Sequence, residues 1–188
     1  VLQILIERGV TSVLDLGCGA GALLQRLVSV PAFTSIVGVD NCPIALTHAR
    51  QALLPYLDQM PSRLRLFRAS YTDRDADLKG FEACTMVETI EHVPPSQLSK
   101  VEDVVFGFYR PRILAMTTPN REFNALLGLG GSERRHEDHQ FEWTRSRFQA
   151  WGGGVAKRKH YDVQFHGIGE FDRLAGQPTQ MAVFSRLN

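Results

Sequence analysis

Asp15-Leu16-Gly17-Cys18-Gly19-Ala20-Gly21 decides the fold, because it stands between an apolar run, Ser12-Val13-Leu14, and an amphipathic stretch carrying Leu23, Leu24, Leu27 and Val28. That order reads as a buried strand, a glycine turn and a helix. Glycine at such a turn lets the backbone come close to a ligand and tolerates positive φ. The glycines fall at 17, 19 and 21, which departs from the G-x-G-x-x-G spacing of a dinucleotide pyrophosphate site. About twenty residues further on, Ser35-Ile36-Val37-Gly38-Val39 forms a second apolar run closed by Asp40, and a carboxylate at that strand end can accept both hydroxyls of a ribose. A nucleoside cofactor follows, with Asp15, Gly17, Gly19 and Asp40 as its candidate contacts.

Outward from the turn, strand and helix patterns keep alternating. Val1 to Ile6 and Pro43 to Tyr56 carry helical apolar spacing, and Arg63 to Phe67 alternates as a third strand. Ala83 to Val87 reads as a fourth strand, Leu98 to Phe108 as a helix, and Ile113 to Thr117 as a fifth strand. A helix from Thr144 to about Lys159 follows. Gly152-Gly153-Gly154 should break or fray it, at about 1 kcal/mol per glycine relative to alanine. Tyr161 to Phe165 and Met181 to Phe184 supply the last two strands, a hairpin-like pair at the sheet edge. The expected fold is α/β and doubly wound, with a mostly parallel, seven-stranded, Rossmann-like sheet.

With 188 residues, 44% of them hydrophobic and 22% charged, the chain fits a single domain over residues 1–188 with one packed core. A formal net charge of +1 does not announce a polyanion partner as a very basic chain would, so any nucleic-acid contact must be local. Cys18, Cys42 and Cys84 form no CxxC pair, so neither a disulfide framework nor a zinc knuckle is implied, and a reducing cytoplasm fits. No signal peptide is recognisable, and the apolar runs are broken well short of the roughly 20 residues that cross a bilayer. No membrane partner is expected. The chain opens at Val1, inside a helical pattern and without an initiator methionine, and is read as a piece of a longer protein.

The run D-L-G-C-G-x-G together with V-G-V-D resembles the first two motifs of class I S-adenosylmethionine-dependent methyltransferases. The resemblance implies S-adenosylmethionine as the cofactor and places Ser70, just beyond the third strand, near its adenine end. Val87-Glu88-Thr89-Ile90-Glu91-His92-Val93-Pro94 follows the fourth strand, at the carboxyl edge where open α/β sheets bind their ligands. If this segment turns helically, Glu88, Glu91 and His92 lie at i, i+3 and i+4 on one face. Two carboxylates and an imidazole are hard-to-borderline donors that suit Mg²⁺, Mn²⁺ or Co²⁺. The H-E-x-x-H order of zinc peptidases is absent. A fourth ligand can come from Arg135-His136-Glu137-Asp138-His139, where spacing alone leaves His136 and His139 both open.

Taken together, Asp15 to Gly21, Glu88-Thr89-Ile90-Glu91-His92, Thr118-Pro119-Asn120-Arg121-Glu122-Phe123-Asn124 and Asp138-His139-Gln140-Phe141-Glu142-Trp143-Thr144-Arg145 make the chain resemble the RNA 3′-terminal ribose 2′-O-methyltransferases of the HUA ENHANCER ONE type. The resemblance spans nearly the whole chain and implies that Glu88, Glu91, His92 and His139 bind a catalytic divalent metal, usually Mn²⁺. It thereby favours His139 over His136. The tail from Gly167 to Phe184 is most similar to the bacterial branch, which implies RNA repair beside a kinase-phosphatase-ligase and a substrate RNA with a free 3′ end. The Thr118 to Asn124 loop is expected to border the ribose. Arg134, Arg135, Arg145 and Arg147 are candidate phosphate contacts, and Phe123 and Trp143 are candidate base-stacking residues.

Overall fold

The computed structural model describes residues 1–59 and 61–188. Its centre is a seven-stranded sheet of β1 (Ser12–Leu16), β2 (Ser35–Asp40), β3 (Leu64–Arg68), β4 (Ala83–Val87), β5 (Ile113–Pro119), β6 (Tyr161–Ile168) and β7 (Thr179–Arg186). The spatial order is β3-β2-β1-β4-β5-β7-β6. Strands β1 to β5 run parallel, β7 pairs antiparallel with β5, and β6 closes the edge antiparallel to β7. The strand order reverses between β1 and β4, which is where open α/β sheets leave a crevice at the carboxyl ends of their strands.

Alternate strand residues feed two cores, one on each face of the sheet. Val13, Ile36, Ala83 and Ile113 meet Leu5, Leu24, Leu27, Leu46, Ala49 and Leu53, carried by α1 (Leu2–Glu7), α2 (Ala22–Val28) and α3 (Pro43–Leu57). Leu14, Val37, Cys84, Met86, Leu114 and Met116 meet Val101, Val104, Phe106, Phe148 and Val155 on the other face. Those residues sit on α4 (Leu98–Val101), on the π-helix Glu102–Tyr109 that continues it, and on α5 (Arg145–Lys159).

Two expectations are corrected here. The helix read from Leu98 to Phe108 is α-helical for its first turn only and then widens to π geometry. The glycine run does not break α5, which is continuous from Arg145 to Lys159 with Thr144 as its N-cap. Packing explains this: a Cβ at Gly152 would stand 2.9 Å from Phe165 Cζ, so the helix can lie this close to β6 only because that residue is glycine. The ion pairs Arg158–Glu102 and Lys159–Asp103 then tie its last turn to the π-helix. The terminal hairpin pair is present and longer than its apolar centre indicated. Among the described residues, no helix is long and apolar enough to cross a membrane.

Candidate active site

The turn after β1 is anchored to the end of β2. The Gly17 and Cys18 amides donate to the Val39 carbonyl at 2.8 and 2.9 Å, and the Gly19 amide donates to Asp40 Oδ2 at 2.8 Å. Gly17, Gly19 and Gly21 take φ of +80°, +54° and +85°, so the turn needs residues without a Cβ. The other Asp40 oxygen accepts from the Cys42 amide at 2.8 Å, which fixes the carboxylate at the mouth of the crevice. Gly17, Gly19, Asp40, Asn41, Cys42, Ala45 and Tyr71 form one wall of a cleft of about 400 Å³, and Glu88, Thr89, His92 and Asp138 form the other.

Asp15 and Ser70 lie outside that lining. Asp15 is buried beneath the turn, where Thr85 Oγ1 donates to its Oδ1 at 2.6 Å. Loss of water raises its pKa to about 7 against the opposing Thr85 hydrogen bond, with the Asp40 charge adding to the rise. Ser70 Oγ is engaged by Thr72, and its neighbour Tyr71 is the residue that faces the cleft.

On the second wall the chain leaves β4 through a left-handed residue, Glu88 (φ +48°), and then makes a single 3₁₀ turn, Ile90–His92. The expected α-helical face is therefore absent. The carboxylates are separated instead by strain at Glu88 and by the consecutive threonines at the end of β5. Thr117 Oγ1 donates to Glu88 Oε1 at 2.8 Å, and Thr118 Oγ1 donates to Glu91 Oε2 at 2.9 Å. Although Glu88 is exposed as a residue, its carboxyl is held against the Thr117 hydroxyl. Desolvation raises its pKa, partly offset by the Thr117 hydrogen bond. Glu91 is fully buried, and burial followed by the nearby Glu88 charge pushes its pKa up to about 8.

His139 reaches this turn from a distant segment. The Gln140 amide donates to the Glu91 carbonyl at 2.7 Å, which lays residues 138–141 against the 3₁₀ turn. Glu91, His92 and His139 each offer one donor atom, and these atoms lie within 4.8 Å of one another. Glu88 is not a member of that group. The His92 and His139 rings are 4.9 Å apart, whereas the exposed His136 ring is 6.4 Å from His92. Burial and then the His139 charge lower the pKa of His92, which favours the neutral imidazole that a metal requires.

Two observations test whether a divalent ion fits. Glu91 Oε1 is a buried oxygen without a hydrogen-bond partner, a position that is costly unless something positive meets it. The two imidazoles grouped with this carboxylate match the chemistry of Mn²⁺, Mg²⁺ or Co²⁺. The residues fit such an ion.

Other expected contacts are placed elsewhere. Arg134 donates to the His139 carbonyl, Arg135 is spent on Asn124 and Asn120, and Arg145 pairs with Glu122, so three of the four arginines brace the fold; Arg147 is exposed. Trp143 is core, stacked on Phe141 at 4.3 Å, and Phe123 is half-buried. The Thr118 to Asn124 loop supports the buried carboxylates, with Thr118 donating to Glu91 and Asn124 to Glu142. Sequence reasoning missed Tyr71, Thr89, the threonine pair and Glu142. Adjacent threonines at the carboxyl end of an apolar strand were the available signal for the pair.

A glycine turn and an acidic strand end at the switch point of this sheet define a class I S-adenosylmethionine-dependent methyltransferase fold, and residues 13–112 match the methyltransferase domain family. The chain is 37% identical over 183 residues to the small RNA 2′-O-methyltransferase of Mus musculus, covering 93% of this chain and 46% of that protein. It superposes on the methyltransferase domain of bacterial CtHen1 with a TM-score of 0.89 and 38% identity, covering 100% of this chain and 95% of that one. It therefore belongs to the Hen1 family of methyltransferase domains. The structure of a Pnkp1/Rnl/Hen1 RNA repair complex shares the fold, with a TM-score of 0.68, 22% identity, and 98% of this chain and 40% of that one covered. The chain spans less than half the length of the first curated relatives it matches, 43% and 46%.

Proposed function

We propose that this domain transfers a methyl group from S-adenosylmethionine to the 2′-hydroxyl of the 3′-terminal nucleotide of RNA, with a divalent metal, Mn²⁺ in preference to Mg²⁺ or Co²⁺, held by Glu91, His92 and His139 and joined by Glu88. The observation that carries the reading is the bare Glu91 Oε1, buried beside two imidazoles at the back of a cofactor cleft. Membership of the Hen1 family supports the RNA 2′-hydroxyl as acceptor. A role in bacterial RNA repair, beside a kinase-phosphatase-ligase, is the corresponding reading of the partner.

When bound, S-adenosylmethionine supplies an electrophilic methyl, and a divalent ion supplies Lewis acidity that lowers the pKa of a ribose hydroxyl. The chain's own part is placement. The glycine turn, whose own amides are engaged by Val39 and Asp40, lets the cofactor approach the backbone and the Asp40 carboxylate along one wall, while Thr118 holds one Glu91 oxygen and leaves the other unpartnered beside His92 and His139 on the second. Thr89, on the second wall, packs against the first, its methyl only 2.7 Å from where a Cβ of Gly17 would lie, and this contact limits their spacing. Such positioning converts a bimolecular encounter into a unimolecular one.

The test is methyl transfer from labelled S-adenosylmethionine to a short RNA with a free 3′ end, with and without Mn²⁺, beside the same RNA lacking only its terminal 2′-hydroxyl. Metal-dependent labelling of the intact RNA alone is expected. Equal labelling after chelation overturns the metal assignment and leaves an ordinary class I methyltransferase. Labelling of the deoxy-terminated RNA overturns the acceptor.

A further inference from the structure

Two runs that stand out in the sequence, Thr118 to Asn124 and Asp138 to Arg145, meet around Glu142. Glu142 is buried, and its Oε1 lies 2.6 Å from His139 Nδ1 while also accepting from the Arg135 amide at 2.8 Å. Its Oε2 accepts from Asn124 Nδ2 at 2.5 Å. Asn124 cannot turn its amide round, because Arg135 Nε donates to its Oδ1 at 2.8 Å. The same guanidinium donates to the Asn120 carbonyl at 2.7 Å, which anchors the network to the end of β5.

The hydrogen bonds fix the proton on His139. An ionised carboxylate only accepts, so the ring nitrogen facing Glu142 must donate, and in a neutral imidazole the other nitrogen then carries the lone pair. We propose that Glu142 is a positioning residue: it holds His139 as the Nδ1–H tautomer and aims the Nε2 lone pair toward Glu91 and His92, with Asn124 and Arg135 holding Glu142 in turn. The proposal rests on the metal reading above for its ligation half. The tautomer half stands on this chain alone. It also accounts for why an asparagine of one run and a glutamate of the other, 18 residues apart, close on each other in a buried contact.

The experiment uses the whole chain with ¹⁵N-labelled histidine. Long-range ¹H–¹⁵N correlation of the metal-free protein reads the His139 tautomer, and calorimetry reads Mn²⁺ and S-adenosylmethionine affinity for the wild type, Glu142→Gln and Asn124→Ala. The Nδ1–H tautomer is expected in the wild type and is lost in Glu142→Gln, whose amide can present a donor to the ring. Mn²⁺ affinity falls about 10–100-fold in Glu142→Gln, the usual effect of removing the partner of a ligating histidine. It falls by less in Asn124→Ala, and cofactor affinity is unchanged in both. An Nε2–H tautomer in the wild type overturns the proposal. So does wild-type Mn²⁺ affinity in Glu142→Gln, or an equal loss of Mn²⁺ and cofactor affinity, which marks general damage. Should Glu142→Gln fail to fold, unchanged Mn²⁺ affinity in Asn124→Ala overturns it. Absence of Mn²⁺ binding by a wild type that keeps the Nδ1–H tautomer overturns the metal reading and the ligation half together, and leaves the ring orientation as observed.

Discussion

On the cofactor wall of the cleft, the fixed groups are mostly backbone amides from one turn, met by a single carboxylate on the next strand over. On the opposite wall the fixed groups are side chains, drawn from the turn after β4, the end of β5 and residues 139–142. The first wall is assembled locally, by a strand, a turn and the parallel neighbour that receives their hydrogen bonds. The second gathers its pieces through long-range contacts and keeps a carboxylate in a dry place. Local construction tolerates a cofactor that comes and goes. Buried, braced side chains suit an ion that must be held in one geometry.

The comparison breaks most visibly at Glu91. Glu91→Gln is expected to lower both Mn²⁺ affinity and methyl transfer by more than about 100-fold, beyond the range for residues that only support a ligand, with cofactor affinity retained. Calorimetry with each ligand separately checks this, and a parallel loss of cofactor binding would show that the walls are not independent. Asp40→Ala is the reciprocal change. It removes the acceptor for the Gly19 amide and for ribose hydroxyls, and is expected to weaken S-adenosylmethionine by about 10–100-fold while leaving Mn²⁺ affinity intact, at about 1.5–3 kcal/mol for a charged hydrogen bond.

Gly17→Ala probes the seam between the walls. Its φ of +80° and the 2.7 Å approach of its Cβ to Thr89 Cγ2 predict a destabilisation of about 1–3 kcal/mol, read as a fall in Tm of about 2–4 °C per kcal/mol. Here both ligand affinities should fall, because Thr89 is displaced.

A change of opposite sign, with the smallest effect on either ligand, is expected below the turn, at Asp15. Its folded pKa of about 7 lies above the ordinary carboxylate value of 3.8. The folded state therefore holds the extra proton, and the stability this contributes is complete below about pH 4 and lost as pH rises to about 7. Asp15→Asn should remove that loss, so the variant is more stable than the wild type above pH 7 by up to a few kcal/mol, with the difference vanishing toward pH 4. Thermal melts across that range check the sign.

The glycine spacing and Asp40 were legible in the sequence because a strand end and a tight turn impose residue types at fixed short intervals. The alternation of apolar runs likewise carried the strand count and the terminal hairpin, since period-two burial leaves its trace residue by residue. Local propensity misjudged Gly152, whose effect depends on a phenyl ring from β6, and left Trp143 open between base stacking and core, where the fold buries it. The helical spacing assumed for Glu88, Glu91 and His92 was overridden by a left-handed residue and a 3₁₀ turn.

By itself, then, the sequence determined a cofactor-binding α/β sheet and the short list of donors, because those follow from periodicity and from which side chains can ligate. Local spacing left His136 and His139 both open, and only the tertiary structure brings His139 within reach of Glu91 and His92, sets the Glu88 carboxyl on Thr117, and places Glu142 against the His139 ring. Those choices depend on which distant segments hydrogen-bond across the sheet end and on which atoms are stripped of water, and neither is written in local spacing.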